Sequence, residues 1–132
     1  MTPLRVLACT VAEAEPRLRR VLPDADLKVV LTTSAALETL KRDAFDLLLV
    51  GMRFDESRAP EFVERIHKDP TLKRPPIVGI RGAAREVVIS PRHFDLPMWA
   101  MGACDVIDLS AIPNNGVGNR SIRERLIRCV RA

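Results

Sequence analysis

The chain has 132 residues, 47% hydrophobic and 29% charged, with a formal net charge of +4. That length is short for two ordinary domains but sufficient to bury a real core, so one domain spanning residues 1–132 is expected. The composition is that of a globular protein, and no apolar run approaches the roughly 18 residues that a membrane span needs. Met1 to Arg5 leads straight into an apolar segment with no cleavage-site pattern behind it, so the cytoplasm is the expected address. With one Trp, no Tyr and no Lys/Arg run longer than two, the basic balance argues only weakly for nucleic-acid contact, which is expected only through an appended domain. Cys9, Cys104 and Cys129 are odd in number and lack C-x-x-C spacing. They read as buried free thiols rather than as a disulfide framework or a zinc site.

In chain order, Leu4–Cys9 reads as a first strand. A first helix begins near Glu13 to Pro16 and runs to Leu22, with Leu18, Val21 and Leu22 inward. Leu27–Leu31 is a second strand, followed by a helix capped by Ser34 that carries Ala35, Ala36, Leu37 and Leu40. Leu47–Val50 is a third strand, and Pro60 suits the first turn of a helix placing Phe62, Val63 and Ile66 on one face. Ile77–Ile80 is a fourth strand. Ser90-Pro91 and Leu96-Pro97 then leave room for only a short helix around Pro97 to Met101, because an interior Pro removes a backbone bond and clashes with the preceding turn. Val106-Ile107 with its flanks is a fifth strand. Ser110 to Arg120, rich in Asn and Gly, reads as an exposed, mobile loop, and a last helix from about Ser121 turns Ile122, Leu126, Cys129 and Val130 inward. Strands alternating with helices, several of the strands continuous Val/Ile/Leu runs, indicate βαβ units and a parallel sheet buried on both faces.

Three segments, Phe45-Asp46-Leu47-Leu48-Leu49-Val50, Pro76-Ile77-Val78-Gly79-Ile80 and Gly102-Ala103-Cys104-Asp105, resemble the CheY-like receiver domain of two-component response regulators. The resemblance covers about Leu4 to Val130. It implies a three-layer α/β/α, flavodoxin-like fold with five parallel strands in the order 2-1-3-4-5 and the site at their carboxyl ends. It also implies a chemistry: an Asp ending the third strand accepts a phosphoryl group, an acidic pair after the first strand holds Mg²⁺, and a Ser/Thr and a Lys ending the fourth and fifth strands contact the phosphoryl oxygens.

Counted from Asp46, the phosphoacceptor position falls on Gly51, which has no side chain to phosphorylate. The acidic pair aligns with Thr10 and Val11, so a hard cation that selects oxygen ligands loses its anchors. The hydroxyl position falls on Arg81 and the Lys position on Leu109, with Ser110 where the family usually has Pro. The family's Thr/Ser and aromatic switch pair becomes Arg81 and Val106. Asp55, Glu56, Glu13 and Glu15 stand in only on a shifted alignment, and a misplacement near about 1 Å can cost about 100-fold in such chemistry. Glu13 and Glu15 are explained by a helix N-terminus.

These replacements predict a pocket turned from acidic to cationic. One reading is an anion site built from Arg81, Arg53, Gly116, Gly118 and Arg120 with the Asn119-Arg120-Ser121 turn. The other has Arg81 paired with Asp55, Glu56 or Glu13 and merely filling volume. Trp99, Met98, Met101 and Val106 read either as an interface or as core. His67 and His93 are isolated and expected at the surface. No metal, cofactor or catalytic constellation is indicated, so the chain is not expected to be an enzyme. The leading expectation is a phosphorylation-independent pseudo-receiver of a signalling or transcription-regulatory protein, acting as a protein-interaction or dimerisation module. The alternative is a sensor binding a small anion or nucleotide at the carboxyl edge of the sheet.

Overall fold

A computed structural model describes residues 2–82 and 91–132. Five parallel strands form one sheet in the order β2-β1-β3-β4-β5: β1 Arg5–Cys9, β2 Asp26–Val30, β3 Leu47–Gly51, β4 Ile77–Arg81 and β5 Asp105–Asp108. Helices α1 (Glu15–Val21) and α6 (Gly116–Arg131) lie on one face; α2 (Thr33–Arg42), α4 (Ala59–Lys68) and α5 (Arg92–Ala100) lie on the other. A short turn, α3, spans Phe54–Ser57.

Strand side chains alternate between faces, so each strand feeds two cores. Leu7, Cys9, Leu48 and Val50 pack with Leu40, Phe62, Ile66, Phe94 and Met98. Their neighbours Val6, Ala8, Leu47 and Leu49 pack with Leu18, Val21, Ile122 and Leu126. All five residues of β3 are buried, as a central strand covered on both faces requires. Gly79 in β4 lets α5 approach the sheet: a Cβ there would lie 3.1 Å from the Phe94 ring.

Several sequence expectations need correction. The cap of α2 is Thr32, whose hydroxyl accepts from the Ala35 amide at 3.2 Å, and Ser34 lies inside the helix. Helix α5 runs through Pro97 instead of beginning there. It forgoes one backbone bond, and burial of Phe94 and Met98 offsets that loss. Helix α6 begins at Gly116 rather than near Ser121, because the Asn115 side chain accepts from the Gly118 amide at 2.8 Å and caps it.

The expected loop from Ser110 to Arg120 is therefore mostly structured, with a 3-10 turn at Leu109–Ala111 and with Gly118 and Asn119 buried. It is tied to α1 by Arg17, which donates to the carbonyls of Leu109, Ile112 and Pro113 and to Asn119 Oδ1.

The cysteines divide. Cys9 is a buried free thiol whose pKa burial pushes well up, whereas Cys104 and Cys129 form a disulfide with their Cα atoms 5.8 Å apart. The expectation of three free thiols fails because α6 runs back antiparallel to β5, which brings its last turns beside the start of that strand. Sequence spacing carries no trace of this.

Candidate functional site

The carboxyl ends of β1, β3, β4 and β5 bring together Thr10, Gly51, Arg81, Asp108 and Leu109. Thr10 is 2% exposed and stands against Gly51. A Cβ placed on Gly51 would overlap Thr10 Oγ1 and lie 3.0 Å from Thr10 Cβ. The position that would carry a phosphoacceptor is thus both without a side chain and closed by its neighbour. Val11 packs against the α1–α6 core and Leu109 is buried in it. Where the fold family would place Mg²⁺, this chain offers a threonine, a valine and a glycine. That donor set does not fit a hard dication. Among the described residues, no three His, Cys, Asp or Glu side chains converge as metal ligands.

Arg81 ends β4 half-buried and is bound on two sides. Its Nε and Nη2 donate to the two Asp95 carboxylate oxygens at 3.0 and 3.2 Å, and its Nη1 donates to Asp108 Oδ2 at 2.8 Å. The other Asp108 oxygen accepts from the Ser110 amide at 3.0 Å and its hydroxyl at 2.6 Å. The Asp95 hydrogen bonds raise the Arg81 pKa against the effect of burial. Burial pushes the Asp108 pKa up, but the Ser110 hydroxyl and Arg81 outweigh it and hold the carboxyl below its ordinary value.

The pocket is therefore not simply cationic, since Arg81 sits between two carboxylates. Its partners are not Asp55, Glu56 or Glu13. Asp55 instead accepts from the Thr33 amide at 2.9 Å, which holds its carboxyl low, and Glu56 pairs with Arg58 at 3.5 Å on the surface. Asp55, Glu56 and Ser57 all have positive φ, a left-handed turn that aims the Asp55 carboxylate at the start of α2 rather than at Gly51. Strand register offered one missed signal: Arg81 is the direct partner of Asp108 across β4 and β5.

The remaining expected residues separate. Met98 is fully buried in the core, which decides between its two readings. Met101 and Val106 are partly buried against that core. Trp99 is 49% exposed, and the sequence reading passed over Leu96, 58% exposed one helical turn earlier. His67 is half-buried, with Nδ1 3.2 Å from Arg74 Nη1, rather than a free surface residue; His93 is exposed. Arg53 is exposed at the start of the α3 turn. Gly116 and Arg120 line an open hollow that Arg20 and Arg123 share and Arg81 does not.

No protein-family model matches the chain, and no curated protein matches it. Solved structures do. A sensor protein from Polaromonas sp. JS666 superposes with a TM-score of 0.75 at 16% identity, over 98% of each chain. The phosphorylated cyanobacterial phytochrome response regulator RcpA gives 0.72 at 18% identity, over 96% of this chain and 95% of that one. The chemotaxis response regulator CheY4 of Vibrio cholerae gives 0.71 at 17% identity, over 97% and 99%. With the strand order and helix placement above, these likenesses establish the architecture: the chain has the fold of a CheY-like response-regulator receiver domain.

Proposed function

We propose that the chain is one receiver-like signalling domain that works without phosphorylation and without catalysis, by binding a protein partner or a second copy of itself. The observation that carries the reading is the acceptor position, where Gly51 has no nucleophile and Thr10 fills the space one would need. A second observation agrees with it. The position that would hold a phosphoryl-sensing hydroxyl is Arg81, clamped between Asp95 on α5 and Asp108 on β5, so the helix and strand that would shift on signalling are tied together. The anion-sensor alternative at this edge loses its main donor for the same reason.

The contact surface in this reading is the outer face of α5, where Leu96 and Trp99 stand three residues apart and exposed. No helix among the described residues is long and apolar enough to cross a membrane. The cytoplasmic address belongs to the reading only if Cys104 and Cys129 are kept reduced there, as cytosolic thiol pools do.

The test is intact-mass analysis after incubation with acetyl phosphate and Mg²⁺. No phosphoryl adduct is expected, and an adduct removed by Asp55→Asn would overturn the reading. Sedimentation of wild type and Trp99→Ser tests the surface. Self-association or partner binding that is indifferent to Trp99→Ser would reject this face.

A further inference from the structure

Arg20 at the end of α1 and Arg120 and Arg123 on the first two turns of α6 surround an open hollow of about 380 Å³, completed by Asn114, Asn115 and Gly116. Among the described residues, none of the three guanidiniums forms an ion pair with a carboxylate and no carboxylate lines the hollow. Two neighbours on the same helices are paired: Arg19 on α1 holds Glu15 at 2.9 Å, and Arg125 on α6 holds Asp105 at 2.7 Å. Glu124 and Asp24 line a separate depression that Arg123 also borders.

The two walls are fixed relative to each other. Arg17 binds α1 to the carbonyls of Ile112 and Pro113 and to the Asn119 side chain, so the helix carrying Arg20 and the helix carrying Arg120 are tied across the hollow. The third and fourth amides of α6 are occupied, since Gly118 and Asn119 donate to the side chain and backbone carbonyl of Asn115. The charge of the site comes from the guanidiniums of Arg20, Arg120 and Arg123.

We propose that this hollow binds a small polyphosphate anion. Three like charges held together repel one another, and a multivalent anion relieves that repulsion while offering the paired oxygens that the planar guanidinium fork engages. The volume falls in the range of small-ligand sites, about 300–1,000 Å³. Among the described residues no aromatic side chain lines the hollow, so recognition falls on the phosphate chain and not on a base. The hollow lies apart from the α5 contact surface and from the Gly51 position, sharing no residue with either.

Calorimetry and thermal melts with inorganic pyrophosphate and tripolyphosphate test it. Saturable binding is expected, with Arg120→Ala/Arg123→Ala weakening it about tenfold or more and Arg20→Ala, on the opposite wall, weakening it too. Arg128→Ala/Arg131→Ala removes the same charge from the far end of α6 and is expected to leave affinity within about twofold. Circular dichroism of each variant checks that the substitutions leave the fold intact. No saturable binding at millimolar pyrophosphate would overturn the proposal, as would equal losses in the two double variants. Tighter binding of a single-stranded oligonucleotide, weakened alike by every variant, would also overturn it and assign a nucleic-acid surface instead.

Discussion

Adding one methyl group at Gly51 probes the closed acceptor position directly. In the native arrangement a Cβ there overlaps Thr10 Oγ1 and sits 3.0 Å from Thr10 Cβ, with the Thr10 backbone Cα only 3.3 Å away. Thr10 is 2% exposed and its neighbours Cys9 and Val50 are fully buried, so the strand ends have little freedom to part. Overpacking of this kind costs about 1–3 kcal/mol. Thr10→Ala removes the overlapping oxygen and a buried methyl and is expected to cost about 1 kcal/mol by itself.

In the double variant the new methyl of residue 51 enters the space the hydroxyl vacates. The double variant should then be less destabilised than the sum of the single ones by about 1 kcal/mol or more, a coupling expected of residues in contact. Urea denaturation of the four proteins, compared at constant slope, measures it. Additive effects, or a Gly51→Ala variant as stable as wild type, would refute the claim that Thr10 closes the site. A Gly51→Asp variant that folds with wild-type stability and accepts a phosphoryl group from acetyl phosphate would refute it more forcefully.

Breaking the Cys104–Cys129 disulfide, which closes a separation of 25 residues, should lower stability by about 3 kcal/mol in the chain-entropy account, read as a drop in Tm on adding reductant or in Cys104→Ser. Unchanged melting under reductant would count against a bond that matters. Arg81→Met strands Asp95 and Asp108, each about three-quarters buried. The about 3–5 kcal/mol typical of a fully buried pair, discounted for their exposure, becomes about 1–3 kcal/mol. That deficit should shrink at low pH, as Asp108, whose carboxyl Arg81 helps to hold below its ordinary value, takes up a proton. Asp55 and Asp108 both have pKa values held below ordinary, so they bind protons less readily in the folded chain than in the unfolded one. Their contribution is complete above the unfolded Asp value of about 3.9 and is lost as pH falls through the folded values. Asp55→Asn, which tolerates the left-handed backbone, should therefore flatten the acid limb of the stability curve; an unaltered limb would contradict the role given to the Thr33 amide.

What the sequence determined by itself was periodicity and identity. Short uninterrupted apolar runs such as Leu47–Val50 suit strands covered on both faces, and helical patterns between such runs leave a parallel sheet as the economical arrangement. That Gly51 brings no side chain to the aligned acceptor position was equally legible, because a side chain that is absent needs no coordinates. Local hydrogen bonding was read less well: Asn115 started α6 ahead of the expected residue, and Phe94 and Met98 held α5 together through Pro97. These outcomes depend on competition between local propensity and burial, which a linear pattern does not resolve. Tertiary structure alone decided who meets whom. Arg81 found Asp95 and Asp108 rather than the acids near it in the aligned pocket, because Asp108 is its register partner and α5 passes over the end of β4. Cys104 met Cys129, and Arg20 met Arg120 and Arg123, only because α6 returns along the sheet beside α1. Pairing of charges and thiols depends on distances across the fold, and those distances are fixed by packing rather than by position in the chain.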